Sequence, residues 1–147
     1  MPIQADPAID PGTFALEVKD ASDRELEELM RGSRRTPVLT AVFRGMPDVF
    51  RADRAGSLHA VVHWHVGHPG GGPEDVWEVE VRDRRCEVRP GTTAEPRLRL
   101  TLDAVNFIKM TTGNAQAWTL FLRGRLKARG DLGLAKTFPR LFEVPRV

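Results

Sequence analysis

Hydrophobic positions recur at helical spacing in the first third of the chain and at strand spacing through its middle. Ser22 and Glu25 have the spacing of a capping box, and Leu26, Leu29 and Met30 form a short apolar stripe that Gly32 closes. Thr36 before Pro37 reads as a second helix start. Val38, Val42, Met46 and Val49 follow near helical spacing, with Leu39, Phe43 and Phe50 widening the stripe. Pro47 is expected to end or kink this helix near Gly45.

From Leu58 the period becomes two. Leu58, Ala60, Val62, Trp64 and Val66 alternate with His59, Val61, His63 and His65. The run His68-Pro69-Gly70-Gly71-Gly72-Pro73 is a loop. Trp77, Val79 and Val81 alternate with Val76, Glu78 and Glu80, and a tight turn near Asp83-Arg84 leads to Cys86 and Val88 opposite Glu87 and Arg89. Leu98, Leu100 and Leu102 alternate with Arg97, Arg99 and Thr101, and Leu126 and Ala128 with Arg125, Lys127 and Arg129. Five strands therefore share an apolar face and a face of His, Glu, Arg and Lys. This predicts an α+β fold: a five-stranded, mainly antiparallel sheet with one side in water and every helix on its apolar side.

Helical spacing returns after the fourth strand. Asp103 can cap a helix carrying Val105, Phe107, Ile108 and Met110; Thr111-Thr112-Gly113-Asn114 interrupts it, and Asn114 can cap a second with Ala117, Trp118, Phe121 and Leu122. A closing segment holds Leu132, Leu134, Ala135, Phe138, Leu141 and Phe142, with Pro139 disturbing its last turn. Large aromatic and methionine side chains opposite a sheet can fill a core or line a cavity, and periodicity does not choose between the two.

Composition narrows the reading. With 147 residues, 41% of them apolar, there is room for one real core and little room for two. Residues 1–21, which include Pro2, Pro7 and Pro11, are expected to form a flexible arm, and residues 22–147 a single domain. The formal charge of +2 is too small a field to imply nucleic acid, and the basic face has no aromatic residues to stack bases. No apolar run is long enough to span a membrane, and no basic segment followed by an apolar one opens the chain, so no secretory signal is expected. One cysteine, Cys86, fits a reducing compartment, and the cytoplasm is the expected location.

Candidate chemistry is thin. His59, His63 and His65 share a strand face and His68 could swing toward them; the spacing permits a metal, but the expected reading is a solvated face beside Glu78 or Glu80. Ser57 with His59 lacks a strained elbow, and Cys86 sits on the apolar side of its strand, where a thiol is inert. Gly70-Gly71-Gly72 lacks the Gly-Lys-Ser/Thr ending of a phosphate loop. No catalytic residue, metal or cofactor is assigned, and enzymatic activity is not expected. Arg97, Arg99, Arg125, Lys127 and Arg129 would form a positive stripe if the last two strands pair, suited to an acidic protein or anionic headgroups, or else balanced by Glu78, Glu80 and Glu87.

Longer stretches carry a resemblance. They are Val42 to Pro47 with Phe50, Ala60 to Trp64, Trp77 to Val81, Leu98 to Asp103, and Phe121 to Asp131 with Leu134-Ala135 and Leu141-Phe142. The most specific piece is Gly130-Asp131-Leu132 followed by Ala135, after a Gly-x-Leu-x strand. Over residues 36–145 the chain resembles the sterol carrier protein 2 (SCP2) sterol-binding domain family, of the kind found as a stand-alone bacterial protein. The resemblance implies a hydrophobic tunnel between sheet and helices that takes up sterols, fatty acids or other lipids without a cofactor. Carried onto this chain, the implied lining is Phe107, Met110, Trp118 and Phe121, with Ala117 on the Phe121 face and Phe138 and Phe142 at a closing C-terminal segment; Trp64 and Trp77 are wall or core. The expected function is non-catalytic binding or transfer of such a molecule. The alternatives are an accessory or catalytic protein of small-molecule metabolism that holds a hydrophobic intermediate, with Asn106, Thr111, Asn114 or Gln116 facing inward, and a structural or protein-interaction domain. Transient contact with a membrane surface or a partner protein, and a monomer or weak homodimer, complete the expectation.

Overall fold

In the computed structural model, which describes residues 3–147, four N-terminal helices precede the sheet. They are α1 (Pro11–Asp20), α2 (Asp23–Arg31), α3 (Arg35–Val49) and the short α4 (Ala52–Ala55). Then come β1 (Ala60–Gly67), β2 (Asp75–Arg82), β3 (Arg85–Pro90) and β4 (Leu98–Asp103), followed by α5 (Ala104–Thr111), α6 (Ala117–Leu122), β5 (Lys127–Gly130) and α7 (Leu132–Thr137). A 3-10 turn, Phe138–Leu141, leads into the C-terminal segment.

The local signals explain most of these boundaries. The Ser22–Glu25 capping box forms in full at the head of α2, and Asp103 caps α5 through the Asn106 N–H. Asp83 and Arg84 both adopt positive φ, the geometry of the two-residue hairpin between β2 and β3. Other signals were overridden. Residues 1–21, expected as a flexible arm, contain α1, whose Phe14, Ala15 and Val18 are buried. Helix α3 begins at Arg35, and Pro47 is accommodated inside it. Asn114 does not cap α6; its amide donates instead to the Ala15 carbonyl and to the Thr112 hydroxyl, tying α1 to the α5–α6 junction.

The five strands lie in the order β3-β2-β1-β4-β5. All neighbours are antiparallel except β1 and β4, which run parallel with Trp64 opposite Leu100. That parallel pair forces the chain to cross two strands between β3 and β4. Residues 91–97 cross on the polar face, from Gly91 bonded to the Val76 carbonyl to Arg97 bonded to the Val61 carbonyl. The helices take the other face. There Phe43 of α3 stacks between Trp77 and Phe107 at centroid distances of 4.8 and 4.9 Å, and Phe107 meets Trp64 at 5.6 Å.

The crossing changes the chemistry of the histidine face, which was expected to be solvated. His63 and Glu78 stand opposite each other in the β1–β2 register and are buried under the loop. The Glu78 carboxylate accepts from His63 Nε2 at 2.9 Å, from Arg89 Nε, from the Thr93 hydroxyl, and from the backbone N–H groups of Thr93 and Ala94. Burial alone would raise its pKa; the Thr93 donors, His63 and Arg89 outweigh burial and hold the carboxyl well below its usual range. Only His59 remains largely in water, 3.6 Å from Glu80. Burial, reinforced by Arg99, lowers the pKa of His65. No group of three metal-binding side chains occurs among the described residues.

Glu78→Gln is expected to destabilise the protein by about 3 kcal/mol or more in urea unfolding at neutral pH, because it leaves Arg89 and the loop donors facing a neutral amide. A depressed native pKa contributes stability above the ordinary glutamate value of 4.5 and loses it as the pH falls below that value. The gap between native protein and variant should therefore narrow as the pH is lowered through 4.5. A gap that stays constant down to the acid transition would contradict this account.

Candidate functional site

The helical layer does not fill the space it covers. A cavity of about 970 Å³ opens between α3, the α5–α6 junction, α7 and the C-terminal segment, above β4 and β5. Its size lies at the upper end of small-molecule sites. Small side chains account for it: Ala41, Gly45, Ala115, Ala117, Ala128 and Ala135 all border this space, where larger residues would have closed it. Trp64 and Leu100 provide the floor, Val42, Met46 and Val49 one wall, and Met110, Trp118 and Phe121 the opposite wall.

The C-terminal segment forms the remaining side. Phe142 bridges to Phe50 in antiparallel fashion, the Glu143 N–H donates to the Val49 carbonyl at 2.9 Å, and the Arg51 N–H donates to the Leu141 carbonyl at 2.6 Å. Pro145 passes so close to Gly113 that a Cβ there would lie 2.0 Å from its carbonyl oxygen. Gly113 has φ of 81°, so only glycine suits both its backbone and its surroundings.

Five of the seven expected lining residues border the cavity: Met110, Ala117, Trp118, Phe121 and Phe142. Phe107 and Phe138 lie behind the wall, fully buried, in a row of aromatic contacts running from Trp77 through Phe43, Phe107 and Trp64 to Phe138 and Phe142. Trp64 borders the cavity, whereas Trp77 is core. The contributions of α3, of Leu100 and Ala128, of Pro7 ahead of α1 and of Pro11 at its start were missed. The inward alternation of β4 and β5 pointed to Leu100 and Ala128; nothing local marked the prolines.

Polar side chains are few in the lining, and one of them, Thr112, is buried. Thr111 and Gln116 border the cavity, and the Thr111 hydroxyl is directed to the Phe107 carbonyl. Asn106 and Asn114 are not in its wall; Asn106 bonds to Asp103. Lys136, Arg140 and Glu143 complete the polar lining, and Glu143 lies 3.5 Å from Arg51. Among the described residues, no histidine or aspartate borders the cavity. The indole N–H of Trp64 is buried and has no hydrogen-bond partner among the described residues. Cys86 is distant from this chemistry, and burial pushes its thiol up to about 12.

The model of the SCP-2 sterol transfer family matches residues 41–143. Human sterol carrier protein 2 is 30% identical over 71 residues, which are 48% of this chain and only 13% of that protein, so the chain spans a small part of the curated relatives it matches. Among solved structures, apo sterol carrier protein 2 from Yarrowia lipolytica superposes with a TM-score of 0.59 at 19% identity, over 73% of this chain and 88% of that one. A stereoselective inverting sec-alkylsulfatase from a Pseudomonas species gives a TM-score of 0.58 at 11% identity, over 97% of this chain and 30% of that one. These two likenesses are of fold, and the second extends over the N-terminal helices.

Two phenylalanines of this layer should respond differently to truncation. Phe107→Ala removes fully buried contacts on several sides and is expected to cost about 3–5 kcal/mol. Phe121, with the cavity on one side, lacks part of that packing, and Phe121→Ala is expected to cost less than about 2.5 kcal/mol. Urea unfolding of the two variants side by side checks the order, and equal losses would place Phe121 in ordinary core.

Proposed function

The chain belongs to the SCP-2 sterol transfer family, and on that footing we propose that it binds or transfers a sterol, a fatty acid or a similar apolar molecule in this cavity, without chemical change. The observation that carries the proposal is the wall itself: about 970 Å³ lined predominantly by apolar side chains, with few polar ones among them. Burial of apolar ligand surface, at about 25 cal/mol per Å², supplies affinity without specific polar contacts, so selectivity follows the length and shape of the ligand. Met110, Ala117, Trp118, Phe121 and Phe142 are the proposed ligand contacts from the helical side, with Leu100 and Ala128 beneath them. Phe107 and Phe138 act one layer back, as the packing that holds Trp64 and Phe142 in place.

A second reading draws on the fold shared with one region of a sec-alkylsulfatase. In it the domain holds a hydrophobic molecule for an enzyme that acts on it. Lys136 and Arg140 at the cavity edge favour this reading to the extent that they suit an anionic head group. Chemistry would then lie with the partner, and the two readings separate on whether binding or transfer proceeds without a second protein.

Ala128→Trp tests the cavity. The new indole projects from β5 into the space and should weaken displacement of a fluorescent fatty acid by about tenfold or more, through lost ligand burial. The wild-type protein, purified without detergent and examined by native mass spectrometry, should carry co-purified apolar molecules. Unchanged binding in a folded Ala128→Trp protein would move the site elsewhere.

A further inference from the structure

Of the three tryptophans, Trp64 and Trp77 are buried while Trp118 is 50% exposed. Leu122, one turn further along the same face of α6, is 66% exposed. Leu132 and Lys136 share a face of α7 in the same way, and Leu132 is 56% exposed. The Lys136 ammonium lies 5.7 Å from the centre of the Trp118 ring, which brings the two helix faces together. Trp118, Leu132 and Lys136 also border the cavity, so this exposed apolar patch is its rim.

The stretch of chain that carries the rim is one-sided in charge. Between Asp103 and Asp131 there is no acidic residue and there are five basic ones. Residues 104–147 carry eight Lys and Arg against two acids, whereas residues 1–103 carry fourteen against eighteen. Both acids of the later segment are engaged away from the rim cations: Asp131 by Arg97 and by the first turn of α7, and Glu143 by Arg51. Among the described residues, Arg123, Arg125, Lys136 and Arg140 have no acidic partner within 4.0 Å.

We propose that this rim docks on an anionic lipid bilayer, with Trp118, Leu122 and Leu132 entering the headgroup boundary and Arg123, Arg125, Lys136 and Arg140 facing the lipid phosphates. Tryptophan is suited to that depth because its ring is apolar and its N–H is polar. Basic side chains are drawn to an anionic leaflet within a Debye length. A second copy of the chain fits this face poorly, because a twofold contact through it would set cation against cation. An acidic protein would match the cations but not the apolar side chains between them. Docking in this orientation turns the cavity rim toward the membrane, whichever apolar molecule occupies the cavity.

The full chain mixed with vesicles of phosphatidylcholine and phosphatidylglycerol should co-sediment with them, and its Trp118 emission should shift to the blue. Vesicles of phosphatidylcholine alone should bind it far less. Partition should fall by about tenfold when salt is raised from low concentration to about 0.5 M. Leu122→Ser and the double variant Arg123→Gln/Arg125→Gln replace exposed residues outside the cavity wall. Each should lower partition by about fivefold or more while leaving fatty-acid displacement in vesicle-free solution unchanged. That second assay separates failure of the docking face from failure of the cavity reading. Absence of co-sedimentation, partition indifferent to the arginine variants, or a dimer by light scattering that buries Trp118 would each overturn the proposal.

Discussion

The parallel pairing of β1 with β4 is the constraint on which the rest of the structure depends. Because β2 and β3 lie on the other side of β1, the chain must cross the sheet before β4 can form, and it does so in the short stretch 91–97. A crossing on the apolar face would have lain where the helices now pack. The crossing on the polar face covers His63 and Glu78 instead, and five donors converge on one carboxylate to hold it there. A buried carboxylate is tolerable only when its lone pairs are met, and here the loop backbone supplies part of what meets them. The Glu78 network is therefore a structural clamp, even though a buried His–Glu pair in an unassigned protein invites a catalytic reading.

With one face given to the crossing, the helices and all the large apolar side chains gather on the other, where two regimes lie side by side. Along β1 and β2 an unbroken row of aromatic rings fills the layer. Over β4 and β5, alanines and a glycine face one another and a space remains. The boundary between them passes through Trp64, which touches Phe107 and Phe138 within the packed half and also borders the cavity. The rigid half can hold the open half in shape without filling it. The C-terminal segment, seated on the end of α3 and against Gly113, closes the open half from the side.

Charge is divided along the chain in a related way. Arg89 gathers Glu78, Glu80 and Glu87 around itself. Those acids, which might have balanced the basic stripe, are thus occupied at the far side of the sheet. On β4 and β5, Arg99 stands opposite Arg129 and Thr101 opposite Lys127; of the stripe, Arg97 is paired with Asp131, while Arg99, Arg125, Lys127 and Arg129 have no acidic partner within 4.0 Å among the described residues. A formal charge of +2 conceals this separation.

Much of the fold was legible locally. Five runs of alternation predicted five strands and the face each would bury, and Ser22, Glu25 and Asp103 marked helix starts through hydrogen bonds that span only three residues. Helix α1 went unread although Asp10 caps the Thr13 N–H and Pro11 takes the first helical position, because its apolar set, Phe14, Ala15 and Val18, is short and its burial depends on docking on α5 and on the junction that Asn114 ties down. The burial of His63 was equally hidden, since it depends on which face a distant loop crosses. For the cavity, periodicity identified the inward faces of the later helices and so reached Met110, Trp118 and Phe121. It could not separate them from Phe107 and Phe138, which point inward with the same spacing. Period determines direction; whether the space in that direction is already occupied is decided by side chains from other strands and helices, and only the assembled tertiary structure brings those together.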